Sequence, residues 1–286
     1  MKGKPELAAR GGDGEGGGGR VSLAGGKLVL DHPAEAVARL TISNPERRNA
    51  LDHDILEALA EALPGLDRGI EVRCVIITGA GEVFSAGYDI AGIPEETFTA
   101  DAEALVAHPF HAAMEAVSTH PYPVLAAING HCLGGGLELA IRCDLRLCAM
   151  SAKLGMPPAK LGLIYGHTGL QAFIDVVGLA RTKELFLTGR NLSAPRAMAI
   201  GLVHDTALDT ELGVTALELA SEVAANAPLS LRRNKHAIET LNSYARLTEE
   251  QERELIELRR SCFGSEDFRE GIRAFAEKRR PEWRGR

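Results

Sequence analysis

Ile128-Asn129-Gly130-His131-Cys132-Leu133-Gly134-Gly135-Gly136-Leu137-Glu138-Leu139-Ala140 joins two kinds of structure within a short span. The segment before it, 123–128, is short and apolar and reads as a buried strand, and Asn129-Gly130 is a turn signal. The glycine run opens a short helical segment ending near Arg142, and 144–149 reads as the next strand. Glycines at such a junction offer backbone N–H groups to a ligand, at the carboxyl end of a strand and the N-terminus of a helix. They serve equally a tight turn and close packing of helix on strand. Glu138 falls in the first helical turn, where the dipole favours a carboxylate in any protein. Its apolar surroundings, Leu137, Leu139 and Ile141, also suit a partly buried acid used in proton transfer.

Upstream, 27–31 and 36–43 suggest strands, and 52–63 has apolar residues at helical spacing behind an Asp52 cap. A buried strand at 72–78, a glycine-containing loop at 79–94 and a helical stretch at 101–118 follow. Alternation of strand and helix predicts parallel βαβ units. The loop holds a second glycine-containing candidate, Phe84-Ser85-Ala86-Gly87-Tyr88-Asp89-Ile90. Beyond Thr168 the pattern is helical, near 168–177, 180–188, 193–200, 210–226, 229–245, 248–262 and 265–279. The exception is an apolar strand-like piece, Gly201-Leu202-Val203.

The 286 residues, 45% of them hydrophobic, are enough for a sizeable core. A formal charge of −7 argues against a nucleic-acid backbone or an anionic membrane as main partner. Residues 1–25 are glycine-rich and read as a disordered tail; their G-x-G-x-x-G match at Gly14, Gly16 and Gly19 has neither strand before it nor helix after it. The longest apolar stretch, 124–141, is interrupted by Asn129, His131, glycines and Glu138, so no membrane span is expected. With no secretory signal at the start, a cytoplasmic location is expected. Five cysteines without a C-x-x-C pair, and scattered histidines, predict reduced core thiols and no metal.

The segment from Ile128 to Ala140, with Cys143-Asp144 after it, resembles the signature of the crotonase (enoyl-CoA hydratase/isomerase) superfamily. Asn44-Pro45-Glu46-Arg47-Arg48-Asn49-Ala50-Leu51, Phe84 to Ile90, Leu187-Thr188-Gly189-Arg190, Gly201-Leu202-Val203 and Phe275 to Pro281 stand in the family's order and spacing. The resemblance implies an α/β fold, a spiral of ββα units over about 26–200, and a helical C-terminal region, 201–286, that builds a homotrimer or dimer of trimers. It implies an acyl-CoA thioester as substrate, with coenzyme A entering only as part of it and no separate cofactor. The thioester carbonyl would be held by the backbone N–H groups of Tyr88 and Gly135, an arrangement that stabilises an enolate. Contacts to coenzyme A would come from Arg48, Ala50, Leu51, Ala86, Gly87, Asp89, Ile90 and Gly134, mostly through the backbone, and Lys278 or Arg279 would reach a phosphate.

Hydratases of this family use two glutamates, and the first matches Glu138. The position of the second falls on Pro158, which has neither an acid nor an amide proton. The stretch from Leu154 through Tyr165 is more similar to the family's methylmalonyl-CoA decarboxylase branch, which has a tyrosine where Tyr165 stands and a histidine where Tyr88 stands. Decarboxylation needs no base to begin, because loss of CO2 itself generates the enolate. Tyr165 would orient the carboxylate or relay a proton; as a core residue its hydroxyl would simply cap a backbone group. His131, His167 and Asp144 read as structural. The expectation is therefore an acyl-CoA lyase of the enoyl-CoA hydratase/isomerase family acting through Tyr88, Gly135, Glu138 and Tyr165. Its alternatives are a decarboxylase of methylmalonyl- or ethylmalonyl-type thioesters and a catalytically silent CoA- or RNA-binding scaffold.

Overall fold

The computed structural model describes residues 19–66, 71–89, 106–242 and 248–282. The chain begins with strands β1 (Val21–Leu23), β2 (Leu28–Ala34) and β3 (Val37–Ile42), then α1 (His53–Leu66). β4 (Cys74–Gly79) and β5 (Val83–Ser85) precede α2 (His111–Ser118), β6 (Val124–Ile128) and β7 (His131–Leu133) precede α3 (Gly135–Arg142), and β8 (Leu145–Ala149) and β9 (Lys153–Gly155) precede α4 (His167–Thr188). Then come β10 (Leu192–Ser193), α5 (Ala194–Ala199), β11 (Asp205–Ala207), α6 (Leu212–Ala225), α7 (Pro228–Asn242), α8 (Glu249–Phe263) and α9 (Glu266–Ala276).

Seven strands form one sheet in the order β1-β2-β3-β4-β6-β8-β11, and four short ones form a second in the order β10-β9-β7-β5. From β3 onward the large sheet is parallel. In the three units β4-β5-α2, β6-β7-α3 and β8-β9-α4 the chain lays one strand in the large sheet, one in the small sheet and then a helix, which is the expected spiral of ββα units. Parallel strands covered on both faces must be apolar throughout, and Val124, Leu125, Ala126, Ala127 and Ile128 are all buried.

Two asparagines fix the corner between β4 and β5. Asn49 is fully buried; its Nδ2 donates to the carbonyls of Ala80 (2.9 Å) and Val83 (2.6 Å), and its Oδ1 accepts from Asn44 N (2.9 Å). Asn129 Oδ1 accepts from Gly79 N (3.0 Å), and its Nδ2 donates to Gly81 O (2.7 Å). The turn signal Asn129-Gly130 thus also braces the neighbouring ββα unit.

The structure corrects several sequence expectations. β1 lies inside the stretch expected to be a tail, antiparallel to β2; residues 1–18 lie outside the described residues. Leu202 and Val203 are buried but unpaired as a strand, and β11 follows at Asp205–Ala207, parallel to β8. The core accordingly continues past residue 200: α6 buries Leu212, Ala216, Ala220 and Ala224, at four-residue spacing, and packs on the large sheet. The two helices expected at 168–177 and 180–188 are one element with a break at Gly178 (φ 74°, ψ 164°). Of the helix expected at 101–118, the described part starts with a π turn at Val106–Phe110 and continues as α2. Asp52 caps α1 as expected, its Oδ1 accepting from Ile55 N (3.0 Å). Asp144 is structural as expected: its carboxylate accepts from Val124 N (2.7 Å) and pairs with Lys235 of α7 (2.6 Å). Among the described residues no helix is long and apolar enough to cross a membrane.

Candidate active site

The site is assembled from segments that are distant in sequence. Ala86 N donates to Arg48 O (3.0 Å), Leu51 N to Gly87 O (2.8 Å) and Asp89 N to Leu51 O (3.1 Å), so 48–51 and 86–89 form a short parallel ladder. Arg48 and Asn49 adopt left-handed φ values of 53° and 55° to make that turn, with Asn49 held by its buried side-chain bonds. Ala50 and Leu51 are buried, so any ligand at this ladder meets backbone rather than these side chains. Asp89 is engaged by Arg47 through two hydrogen bonds (2.7 and 3.1 Å), which orients the end of the loop. Ile90 lies outside the described residues.

The ladder brings the first glycine loop against the second. Gly87 has φ 99° and its N–H donates to Ser85 Oγ (3.2 Å). A Cβ on Gly87 would stand 3.2 Å from Gly135 N, so only the bare backbone fits beside the start of α3. Gly134, at φ 52°, precedes that helix, and its N–H is tied to Gly155 O (2.9 Å). The first N–H groups of a helix have no intrahelical acceptor, so the start of α3 offers donors and positive potential beside Tyr88.

Behind this junction lies a polar pair in an aromatic wall. Glu138 is 3% exposed, and its Oε1 accepts from Arg142 Nη2 (3.1 Å) one turn along α3. The Tyr88 ring lies over Gly135: a Cβ there would stand 3.2 Å from Tyr88 Cε1 and Cζ and 3.3 Å from Phe110 Cε2. Tyr88 and Phe110 meet edge to face at 4.6 Å. Tyr165 packs edge-on against Phe186 (5.4 Å), which packs against Phe173 (5.0 Å). The Tyr165 hydroxyl is buried without a hydrogen bond of good geometry; Glu138 and Tyr88 stand near enough to oppose its ionisation. Burial first, then the Glu138 carboxylate, pushes the phenol well above its ordinary range, so at neutral pH it is a neutral O–H donor.

Glu138, Tyr165, Tyr88, Gly135, Gly134 and Gly87 are therefore brought together, with Arg48, Ala50, Leu51, Ala86 and Asp89 on the adjoining ladder. Lys278 is not brought to them within the described residues. It is exposed, with φ 54°, just past α9, while Arg279 is held by Glu270 (2.5 and 3.0 Å) and Glu277 (2.5 Å). Pro158 is buried at the head of a single 3₁₀ turn, Pro158–Lys160. Sequence reasoning missed Phe110, Arg142 and Gly169 as parts of the site. Arg142 carried a readable signal, the i,i+4 spacing from Glu138; Phe110 and Gly169 meet the site only through tertiary packing. Among the described residues, no group of three or more His, Cys, Asp or Glu side chains is placed to hold a metal ion.

A sequence model of the enoyl-CoA hydratase/isomerase family matches residues 32–286. The chain belongs to that family. Within the enoyl-CoA hydratase/isomerase family it is 40% identical to a probable enoyl-CoA hydratase of Bacillus subtilis, over 87% of this chain and 95% of the relative. It is 34% identical to a short-chain-enoyl-CoA hydratase of Clostridium acetobutylicum, over 86% and 93%. Among solved structures, a methylmalonyl-CoA decarboxylase in complex with 2-nitronate-propionyl-CoA superposes with a TM-score of 0.83 at 27% identity, over 91% of this chain and 99% of that one. An enoyl-CoA hydratase from Bacillus anthracis superposes with a TM-score of 0.71 at 34% identity, over 91% and 100%. The crotonase-like α/β spiral expected from the signature is thus the fold of this chain.

Proposed function

We propose that this family member decarboxylates a malonyl-type acyl-CoA thioester, of the methylmalonyl or ethylmalonyl kind. The observation that carries the reading is the neutral, buried Tyr165 phenol beside Glu138, in a chain where Pro158 occupies the position of the hydratases' second acid. The higher TM-score with the decarboxylase complex supports it.

In this reading the Tyr88 and Gly135 amides donate to the thioester carbonyl oxygen. The bond between the α-carbon and the carboxylate breaks, CO2 leaves, and the electron pair becomes the enolate, whose negative oxygen stays on the two donors. Preorganised donors of this kind are worth about 10²–10³ in rate each. Tyr165, as an O–H donor, holds the substrate carboxylate out of the carbonyl plane so that the breaking bond overlaps the carbonyl π system. Glu138, after taking up a proton from solvent, passes it to the α-carbon and completes the turnover.

Hydration of an enoyl-CoA is the second reading, favoured by retention of Glu138 and by the name of the 40% identical relative. Comparing wild type with Tyr165→Phe on both thioester classes separates the two. The expected outcome is CO2 release from the malonyl-type substrate, reduced at least about tenfold in the variant. Efficient hydration that is indifferent to the substitution would overturn the proposal. We also propose that the C-terminal helices assemble the chain into a homotrimer or dimer of trimers, supported by exposed Leu229, Ile238, Leu241 and Phe275.

A further inference from the structure

We infer that Gly169 is a positioning residue for Glu138 and Tyr165, acting through the side chain it lacks. The inference rests on the reading of these two groups as the proton-handling pair of the site. Gly169 is buried in the first turn of α4, four residues after Tyr165 and far in sequence from Glu138. A Cβ there would stand 2.6 Å from Tyr165 Cε1, 2.7 Å from Glu138 Oε2 and 2.9 Å from Glu138 Cδ. All three are far inside the 3.5–4.0 Å at which carbon atoms make favourable contact. These are the three nearest atoms, and none belongs to the 86–89 or 134–136 loops.

Backbone conformation does not require glycine here, because Gly169 is not among the residues with positive φ. Helix propensity argues against it, since alanine is the better helix former. What the absent Cβ permits is the approach of the carboxylate and the phenol ring to one another over the first turn of α4. Neither group can retreat freely. The Tyr165 ring is backed by Phe186 and Phe173, and the Glu138 carboxylate is buried and tied to Arg142. An added methyl group must therefore move the carboxylate, the ring or both, while the amides of Tyr88 and Gly135 keep their places. The consequence is a loss of turnover without a loss of thioester binding.

The experiment compares wild type, Gly169→Ala, Glu138→Gln and the double variant on a malonyl-type and an enoyl-CoA thioester, with melting curves and CoA-ester Kd measured in parallel. The expected result is a fall in kcat of at least about tenfold in Gly169→Ala, with KM and Kd within about threefold and a single cooperative melting transition retained. In the Glu138→Gln background the added methyl group should cost little more, because both changes act on one group. Unchanged kcat, or an equal loss in both backgrounds accompanied by a lowered Tm, would overturn the inference. Turnover of the enoyl substrate alone would remove the decarboxylase reading, and Gly169 would then be judged on hydration. Where neither substrate is turned over, crystal structures decide. A displacement of the Glu138 carboxylate or Tyr165 ring by about 0.5 Å or more in Gly169→Ala is expected, and superposition of both would overturn the inference.

Discussion

Glu138 and Arg142 stand one helical turn apart on α3, carboxylate to guanidinium at 3.1 Å, with side chains 4% and 21% exposed. The pair explains how an acid tolerates an apolar helix. It also fixes Oε1 in one place, leaving Oε2 toward Gly169.

Removing the guanidinium leaves a buried carboxylate without its partner. Arg142→Ala should therefore lower unfolding stability by about 2 kcal/mol, less than for a wholly buried pair because Arg142 is partly solvated. Urea unfolding of the variant and wild type measures this, and an unchanged midpoint would show that solvent replaces Arg142 fully.

Glu138→Gln keeps the shape of the side chain and removes its capacity to carry a proton. Turnover should fall by about 10²-fold or more, while the Kd for a CoA ester stays near the wild-type value. Steady-state kinetics with calorimetric binding tests the split. A variant as fast as wild type would take Glu138 out of the reaction.

Asn49 ties the 48–51 turn to the corner between β4 and β5. Replacing it by alanine leaves the Ala80 and Val83 carbonyls and the Asn44 N–H without their partner and places a side chain at φ 55° without local hydrogen bonds. We expect a loss of about 3 kcal/mol, with activity falling as the 48–51 ladder loosens. Thermal melting of Asn49→Ala beside Asn49→Asp distinguishes this from a mere volume effect.

Alkaline pH should destabilise the fold. Burial pushes the Cys74, Cys143 and Cys148 thiols up to about 12 from an ordinary value near 9, and Cys132 well up as well. Tyr165 is raised above its ordinary 10. The unfolded chain releases these protons first, so the stability they contribute is complete below about pH 9 and is lost as pH climbs toward the folded values. Tm should fall steadily above pH 9, and the four thiols should resist alkylation at pH 8 until the protein unfolds. Rapid labelling of any of these four in the native protein at that pH would contradict their burial.

Much of the fold was legible because buried parallel strands are apolar runs of readable length and α1 and α6 carry helical periodicity. The small sheet was not, since β5, β7 and β9 are three residues each and too short for a period to emerge. In the site, Gly135 and Glu138 stood out as glycines and an acid inside one apolar run. Tyr165 and Tyr88 acquired meaning only from family spacing. Gly169 and Phe110 had no local signal, because what matters about them is which atoms they meet across the fold.

In the proposed mechanism CO2 loss creates an enolate that is held by the Tyr88 and Gly135 amides and then protonated at carbon. Incubating the purified protein with a methylmalonyl-type CoA in D2O, and analysing the thioester by mass spectrometry, addresses it directly. The expected product has lost CO2 and carries deuterium at the α-carbon. An intact malonyl-type thioester, alongside an enoyl-CoA that has gained water under the same conditions, would contradict the decarboxylase account and leave Glu138 as the sole acid of a hydratase.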